Sequence, residues 1–178
     1  MTHLTSTFTN KQGEILTVNY YESDPEENIE GKIMQGVHTF CIVKSENPET
    51  NGKMVLVLHP KAGWMPPGGG IEEGESYEEA VVREVNEETN MRVLQQRLIG
   101  FQDIEEPSRT VRQTRSFCIV ESYGDFIADP DGEIQENKLI DPRDYKQYFD
   151  WGFIGDHIME RVIEYTEELS SRKEKLFF

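Results

Sequence analysis

The chain has 178 residues, of which 36% are hydrophobic and 29% charged, and its formal net charge is −16. This length suits one domain with extensions, and the composition excludes a disordered chain and a membrane protein. A net charge of −16 repels nucleic acid, so we expect no nucleic-acid partner, and any phosphate site needs metal ions or clustered basic residues.

The sequence also predicts a cytoplasmic location. The first four residues lack the basic start and apolar run of a secretion signal, and the longest aliphatic run, Met54–Leu58, is too short to span a bilayer. Cys41 and Cys118 both occur in the string Phe-Cys-Ile-Val, where two central strands under the same burial pressure would explain the repeat. Two buried free thiols are expected of such a protein.

In chain order, residues 1–35 are predicted to form an N-terminal extension, and residues 36–178 the main domain with a C-terminal helix. The extension contains a predicted strand, Ile15–Tyr21, and then an acidic loop. Branched and aromatic residues predict a buried strand at Val37–Lys44, and a turn rich in Pro and Asn-Gly separates it from a second strand at Met54–His59. These two strands are predicted to form a hairpin.

Gly68-Gly69-Gly70 predicts a freely shaped loop before a helix that begins near Ser76. Ser76 with Glu79 three residues later is typical of a capping box, and Asn90 is suited to the left-handed end of a helix that runs to Thr89. The remaining predictions are two strands, a loop and a closing helix: Arg92–Phe101, Thr114–Glu121, Asp125–Asp144 and Asp156–Ser171. This order of elements predicts a layered α/β domain.

Three glutamates share one side of the predicted helix: Glu84, Glu87 and Glu88. An adjoining arc is predicted to face the core and carries Val81, Val82 and Val85. The clustered carboxylates repel each other near the negative end of the helix dipole, and a hard cation such as Mg²⁺ would reverse that effect. The alternative is an ordinary solvated helix face.

The residues around this helix resemble the Nudix box, G-x5-E-x7-R-E-U-x-E-E-x-G-U, where U is a bulky apolar residue. The box would run from Gly69 to Met91, and six polar or glycine positions match, with Asn90 in place of the last glycine. The resemblance implies an α/β/α sandwich around a mixed sheet and a pyrophosphohydrolase that needs Mg²⁺ or Mn²⁺.

The resemblance also implies roles for single residues. Glu84, Glu87 and Glu88 would be catalytic and hold the metal together with the backbone carbonyl of Gly68, and Glu84 is a candidate to accept a proton from water. Arg83 and Glu75 would form a structural pair. A further carboxylate often assists in this family, and five candidates stay open: Glu105, Glu106, Glu121, Glu133 and Glu136.

Arg109, Arg112 and Arg115 fall within seven residues that contain no acid. One hypothesis is that some of them bind substrate phosphates, and the alternative is that they pair with nearby acids. Trp64, Tyr123 and Trp151 are stacking candidates for a base, although such aromatics are more often part of a core.

The expected substrate is a small nucleotide, a nucleoside diphosphate linked to another group. Pro107, sixteen residues after Met91, and the N-terminal extension favour ADP-ribose or a nucleotide sugar. Nucleoside triphosphate clean-up is the second candidate, and a non-catalytic nucleotide sensor is the alternative from another class. The tail Leu176-Phe177-Phe178 could pack on its own core or at a homodimer interface.

Overall fold

The computed structural model describes residues 1–127, 130, 132, 134 and 136–175. Its helices are α1 (Tyr77–Thr89) and α2 (Gly152–Lys175), with a short 3₁₀ helix at Pro142–Gln147. The strands are β1 (His3–Thr9), β2 (Ile15–Tyr21), β3 (Lys32–Val43), β4 (Met54–His59), β5 (Gly63–Met65), β6 (Gly68–Gly70), β7 (Met91–Glu106), β8 (Arg109–Ser122) and β9 (Asn137–Ile140).

All these strands belong to one mixed sheet with the order β1-β2-β7-β8-β3-β4-β5. Only β3 and β8 run parallel among the described pairs, and the predicted hairpin of β3 with β4 is antiparallel. The edge of β3 is shared, because β6 pairs with its first half at Gly36–His38 and β4 pairs at Ile42. This arrangement brings the triple glycine to the middle of the sheet.

A helix covers each face of the sheet, which confirms the predicted α/β/α sandwich. The α1 face has a core of small and branched side chains, including Val81 and Val85 of the helix with Val37 and Cys41 of β3. The α2 face has a larger core, in which Ile158 and Val162 pack on aromatic residues of the sheet. In the described part of the chain, no helix is long and apolar enough to cross a bilayer.

The repeated string Phe-Cys-Ile-Val has a structural explanation. Phe40 pairs with Phe117 and Cys41 with Cys118 along the parallel β3–β8 pair, and the next two residues of each strand continue the register. Alternate residues of both strings face the two cores. The repeat therefore reflects two neighbouring central strands under the same burial pressure, and both cysteines are buried free thiols as predicted.

Four local predictions were wrong. Gly68–Gly70 is a strand, because the close approach of β3 pairs it into the sheet. Residues 3–9 form strand β1, which the sequence analysis missed. The predicted loop Asp125–Asp144 contains β9 and the start of the 3₁₀ helix, because β9 pairs with the edge of β4. Val82 is 47% exposed rather than part of the core.

The division between an N-terminal extension, residues 1–35, and a main domain that begins at residue 36 stays a prediction. Strand β3 runs across this boundary.

Candidate active site

Local signals set both ends of α1. Ser76 accepts a hydrogen bond from the backbone of Glu79, and the Glu79 carboxylate accepts one from the backbone of Ser76, which completes the capping box. At the other end, Asn90 adopts a left-handed conformation with φ 53°, and its N–H donates to the carbonyl of Asn86. Asn90 stands where the box has its last glycine, but it adopts the left-handed backbone conformation that this helix end needs.

Arg83 links the loop before α1 to the helix. Its Nε and Nη2 atoms donate to the two carboxylate oxygens of Glu75 at 2.8 and 2.9 Å, and Nη2 also donates to the carbonyl of Gly70. The hydrogen bonds from Arg83 hold the pKa of Glu75 below its usual value. Only the planar fork of arginine can make this two-point contact, so the pair orders the loop around β6.

The same guanidinium lies between two of the three helix glutamates. Arg83 Nη1 donates to Glu84 at 2.8 Å and to Glu87 at 3.3 Å. Glu88 is turned the other way and accepts a hydrogen bond of 2.9 Å from the backbone N–H of Gly68. The structure therefore brings the three predicted carboxylates, the Glu75–Arg83 pair and Gly68 into one region.

Two of these carboxylate residues are almost fully buried. Glu84 is 8% exposed and Glu88 is 7% exposed, on a helix whose last turn carries no basic residue. Buried negative charge at the C-terminal end of a helix is unfavourable without a compensating cation or hydrogen bonds. Arg83 compensates Glu84, and the N–H of Gly68 donates to Glu88. Three carboxylates on one side of a helix, two of them buried, are more typical of a functional site than of a solvated helix face.

The site fits a hard divalent cation by the chemistry of its donors. Carboxylate and main-chain oxygens are the ligands that Mg²⁺ prefers, and the guanidinium between Glu84 and Glu87 marks a position where a cation is stabilised. Among the residues that the structure describes, no three acid, histidine or cysteine side chains already form a set of metal ligands. The carboxylates are instead turned to Arg83 and Gly68.

Gly69 makes room for the carboxylate of Glu84. A Cβ atom at Gly69 would lie 2.3 Å from Glu84 Oε1, whereas a Cβ atom at Gly68 would lie 2.1 Å from the backbone oxygen of Val37. Neither glycine has a positive φ, so lack of space is the constraint on both. The space that Gly69 leaves for Glu84 was not predicted, although Gly69 is the first glycine of the box and one of three in a row.

These two glycines give a matched pair of substitutions. Gly69→Ala is expected to lower kcat about 10²-fold with little loss of stability, because the flexible carboxylate of Glu84 can move aside. Gly68→Ala is expected to cost about 3 kcal/mol of unfolding free energy, because the obstructing atom belongs to the backbone. Steady-state kinetics and urea unfolding of both variants test this. Equal stability losses in the two variants would contradict the assignment.

The three arginines of β8 do not converge. Arg109 is paired with Glu106 beside the β7–β8 turn, and Arg112 is 1% exposed and paired with Asp103. Arg109 and Arg112 therefore pair with nearby acids, which was the alternative to binding substrate phosphates. Arg115 is buried on the opposite face of the sheet from α1, with its guanidinium 5.6 Å from the ring of Trp151.

Burial dominates the electrostatics around Arg115. It lowers the pKa of Arg115 to about 10 and that of its neighbour on β3, His38, to about 3. Trp151 packs against His38 and Phe40, and Trp64 also packs against the α2 core, so both tryptophans are partly buried against that core. Tyr123, in contrast, is 58% exposed.

The candidates for an assisting carboxylate are spread over the sheet. Glu105 and Glu106 end β7 at the far end from α1, whereas Glu121 and Glu136 line one cavity next to the C-terminal end of α1. Glu133 and the tail 176–178 lie outside the described residues. Position therefore favours Glu121 and Glu136 over the β7 pair, and Glu121 is already paired with Arg92.

Comparison with known proteins places the site in a family. The model of the NUDIX domain family matches residues 34–162, which include every residue of the site. A curated relative, the uncharacterized Nudix hydrolase YvcI of Bacillus subtilis (strain 168), is 40% identical over 53 residues. That match covers 29% of this chain and spans 34% of the relative's length.

Two solved structures share the fold. The Bacillus subtilis pyrophosphohydrolase BsRppH matches with a TM-score of 0.66 and 20% identity, over 89% of this chain and 96% of that one. The NUDIX domain of Shewanella oneidensis NrtR, complexed with ADP ribose, matches with a TM-score of 0.57 and 18% identity, over 80% of this chain and 92% of that one. At these identities the likeness concerns the fold.

Proposed function

The chain belongs to the Nudix hydrolase family, and from this premise we propose that it hydrolyses a phosphoanhydride bond in a nucleoside diphosphate linked to another group. The observation that carries the proposal is the set of three glutamates on one side of α1, two of them buried, beside the paired Glu75 and Arg83. This set matches the complete acid set of the Nudix box.

In this proposal Glu84, Glu87, Glu88 and the carbonyl of Gly68 hold Mg²⁺ or Mn²⁺. The ion, when bound, neutralises phosphate charge and acidifies the attacking water. A carboxylate oxygen of Glu84 accepts the proton from that water, whose oxygen bonds to phosphorus as the bridging P–O bond breaks. Burial of Glu84 excludes bulk water from this carboxylate, which strengthens its interaction with charge in the site.

Arg83 acts as a positioning residue. Its contacts with Glu75 and Gly70 tie the loop to α1, and its contacts with Glu84 and Glu87 orient the carboxylates. Phosphoryl transfer depends mostly on positioning and electrostatics, so a fixed loop and fixed carboxylates are what this chemistry requires of the protein.

For the substrate, we favour ADP-ribose or a nucleotide sugar. The similar NUDIX domain of NrtR was solved in complex with ADP ribose, which supports this choice. Pro107 adds no support, because it lies in the β7–β8 turn, at the far end of β7 from Met91. We place the protein in the cytoplasm, where such nucleotides are found.

A substrate panel tests the proposed function. We expect turnover of ADP-ribose or a nucleotide sugar with Mg²⁺ or Mn²⁺, and none with EDTA, in an assay of the nucleoside monophosphate and sugar phosphate that this cleavage releases. Dinucleoside polyphosphates and ordinary and oxidised nucleoside triphosphates complete the panel. Turnover of nucleoside triphosphates alone would instead support the second candidate function, a nucleoside triphosphate pyrophosphohydrolase. Tight binding without turnover of any compound would support a sensor.

A further inference from the structure

Strand β1 forms one edge of the sheet. It lies at the end of the strand order, and β2 is its partner among the strands that the structure describes. Beside this pair, the carbonyl of Thr2 accepts a hydrogen bond from the N–H of Glu22, and the N–H of Asn10 donates to the carbonyl of Glu14. Even-numbered residues of β1 therefore bond to β2, because hydrogen-bonded pairs alternate along an antiparallel pair. The odd-numbered residues point their backbone N–H and C=O groups away from the sheet: His3, Thr5, Thr7 and Thr9.

The edge of β1 lacks the features that usually protect such a strand. In natural proteins, charged side chains, proline or a bulge hinder the pairing of an edge strand with another chain. Strand β1 contains no Asp, Glu, Lys, Arg or Pro, and its register with β2 is unbroken over all seven residues. Its four odd-numbered residues are also exposed. The edge is therefore open to a further strand.

The β1–β2 hairpin is neutral in a strongly acidic chain. Residues 1–21 carry two charged side chains, Lys11 and Glu14, whose charges cancel. The net charge of −16 therefore belongs to residues 22–178. Charged surfaces interact over a Debye length of about 8 Å at physiological ionic strength, so two copies repel each other where their acidic surfaces approach. They meet with the least repulsion through this hairpin, whereas a charged partner would find no complementary charge on it.

The sequence of β1 is nearly symmetric about Ser6. Thr5 and Thr7 flank it, and Leu4 and Phe8 lie one position further out. If two copies of β1 pair antiparallel about a two-fold axis at Ser6, every residue has a partner, and the odd-numbered residues form about eight hydrogen bonds. Leu4, which packs on the α2 core, then lies opposite Phe8 of the second copy, whose side chain is 43% exposed. Thr5 lies opposite Thr7, a favourable cross-strand pair. The strand therefore complements itself.

We propose that two copies of this chain associate through β1, antiparallel about a two-fold axis at Ser6, so that their sheets join into one. An interface of this small size gives a weak dimer, so we expect a dissociation constant in the micromolar range. Raising the salt concentration should strengthen the association, because it screens the repulsion between the acidic surfaces of the two copies. The inference does not depend on the proposed function, because association is measured without substrate.

A cysteine in place of Ser6 tests the position of the axis. Ser6 and its symmetry mate would have Cα atoms about 4.5 Å apart, a distance that a disulfide can span. With oxidised glutathione as the oxidant, Ser6→Cys is expected to give about tenfold more covalent dimer than the control Thr7→Cys, whose Cα atoms would lie about 7–8 Å apart. Cys41 and Cys118 are buried, so they add no background. Equal cross-linking of the two variants, or none, would overturn the inference.

Proline in place of Thr7 tests the hydrogen bonds of the edge. The N–H of Thr7 points away from β2, so Thr7→Pro keeps the β1–β2 pair and removes a donor from the outer side alone. The dimer loses two hydrogen bonds, and we expect association to weaken about 10- to 100-fold in sedimentation equilibrium. The control Thr7→Val keeps the N–H group and the branched side chain, so its dissociation constant should stay within about threefold of wild type. Thermal unfolding checks that both variants are folded.

Two results of sedimentation would contradict a dimer through β1. One is wild-type protein that stays monomeric up to about 0.5 mM, and the other is equal association of Thr7→Pro and Thr7→Val. Cross-linking of Ser6→Cys does not depend on whether Thr7→Pro folds, so a poorly folded proline variant leaves that test decisive. Turnover on the substrate panel by a wild type that stays monomeric would overturn the dimer and leave the proposed hydrolase intact.

Discussion

Replacing Glu88 with glutamine is expected to lower kcat about 10²- to 10⁴-fold while the fold stays intact. The amide keeps the volume of the side chain and an oxygen that can accept the hydrogen bond from Gly68 N–H. It removes the negative charge that a divalent cation requires. Steady-state kinetics over a range of Mg²⁺ concentrations, with thermal unfolding as the check on folding, measure the effect.

Glu73→Gln is the matched control for this substitution. Glu73 lies in the loop before α1 and is exposed, so the same loss of charge should change kcat by less than about threefold. Glu84→Gln and Glu87→Gln are expected to behave like Glu88→Gln. If Glu88→Gln kept more than a tenth of the activity, the assignment of the metal site to these carboxylates would be wrong.

Replacing Arg112 with methionine is expected to lower the free energy of unfolding by about 3–5 kcal/mol. Arg112 is 1% exposed, donates to both carboxylate oxygens of Asp103 and lies 3.9 Å from the ring centre of Phe101. It also donates to the carbonyls of Pro25 and Glu27, which ties the acidic loop to the sheet. Methionine fills similar space but leaves these buried acceptors without their donor.

Arg92→Met is the control, because it makes the same change in an exposed pair on the same hairpin. The side chains of Arg92 and its partner Glu121 are 54% and 37% exposed, so the loss should stay below about 1 kcal/mol. Urea unfolding of both variants gives the comparison. Similar losses in the two would show that the burial of Arg112 adds no stability.

The loss in Arg112→Met should also depend on pH. Burial alone would raise the pKa of Asp103, but hydrogen bonds from Arg112 and Lys32 outweigh it and hold the pKa below the ordinary value of 3.8. A lowered folded-state pKa stabilises the protein above 3.8, and this contribution is lost as pH falls through the folded-state value. The stability difference between wild type and variant should therefore shrink below pH 3.8.

Local signals predicted the helix that carries the site, whereas several strands depended on distant partners. The capping box and Asn90 lie within the segment they terminate, so the predicted bounds of α1 agree with the structure. By contrast, β6 consists of three glycines, which have no preference for a strand, and only the approach of β3 makes them one. The short strand β9 likewise depends on the free edge of β4.

For the site, spacing alone indicated the three glutamates and the Glu75–Arg83 pair, because the box has a fixed pattern. It could not assign the arginines of β8. The partner of Arg112 lies across the β7–β8 hairpin, and its burial depends on the acidic loop that covers it. Whether an arginine binds substrate or an internal acid is decided by such contacts, which the spacing of charges does not reveal.

The parallel pair of β3 and β8 has a consequence for synthesis on the ribosome. Cys118 and Val120 of β8 belong to the same core as Val81 and Val85 of α1, so this core stays incomplete until β8 has left the exit tunnel. Until then the edge of β3 that pairs with β8 is exposed on the nascent chain. Pairings so distant along the chain form slowly, and this interval is where the protein is most open to aggregation and to chaperones.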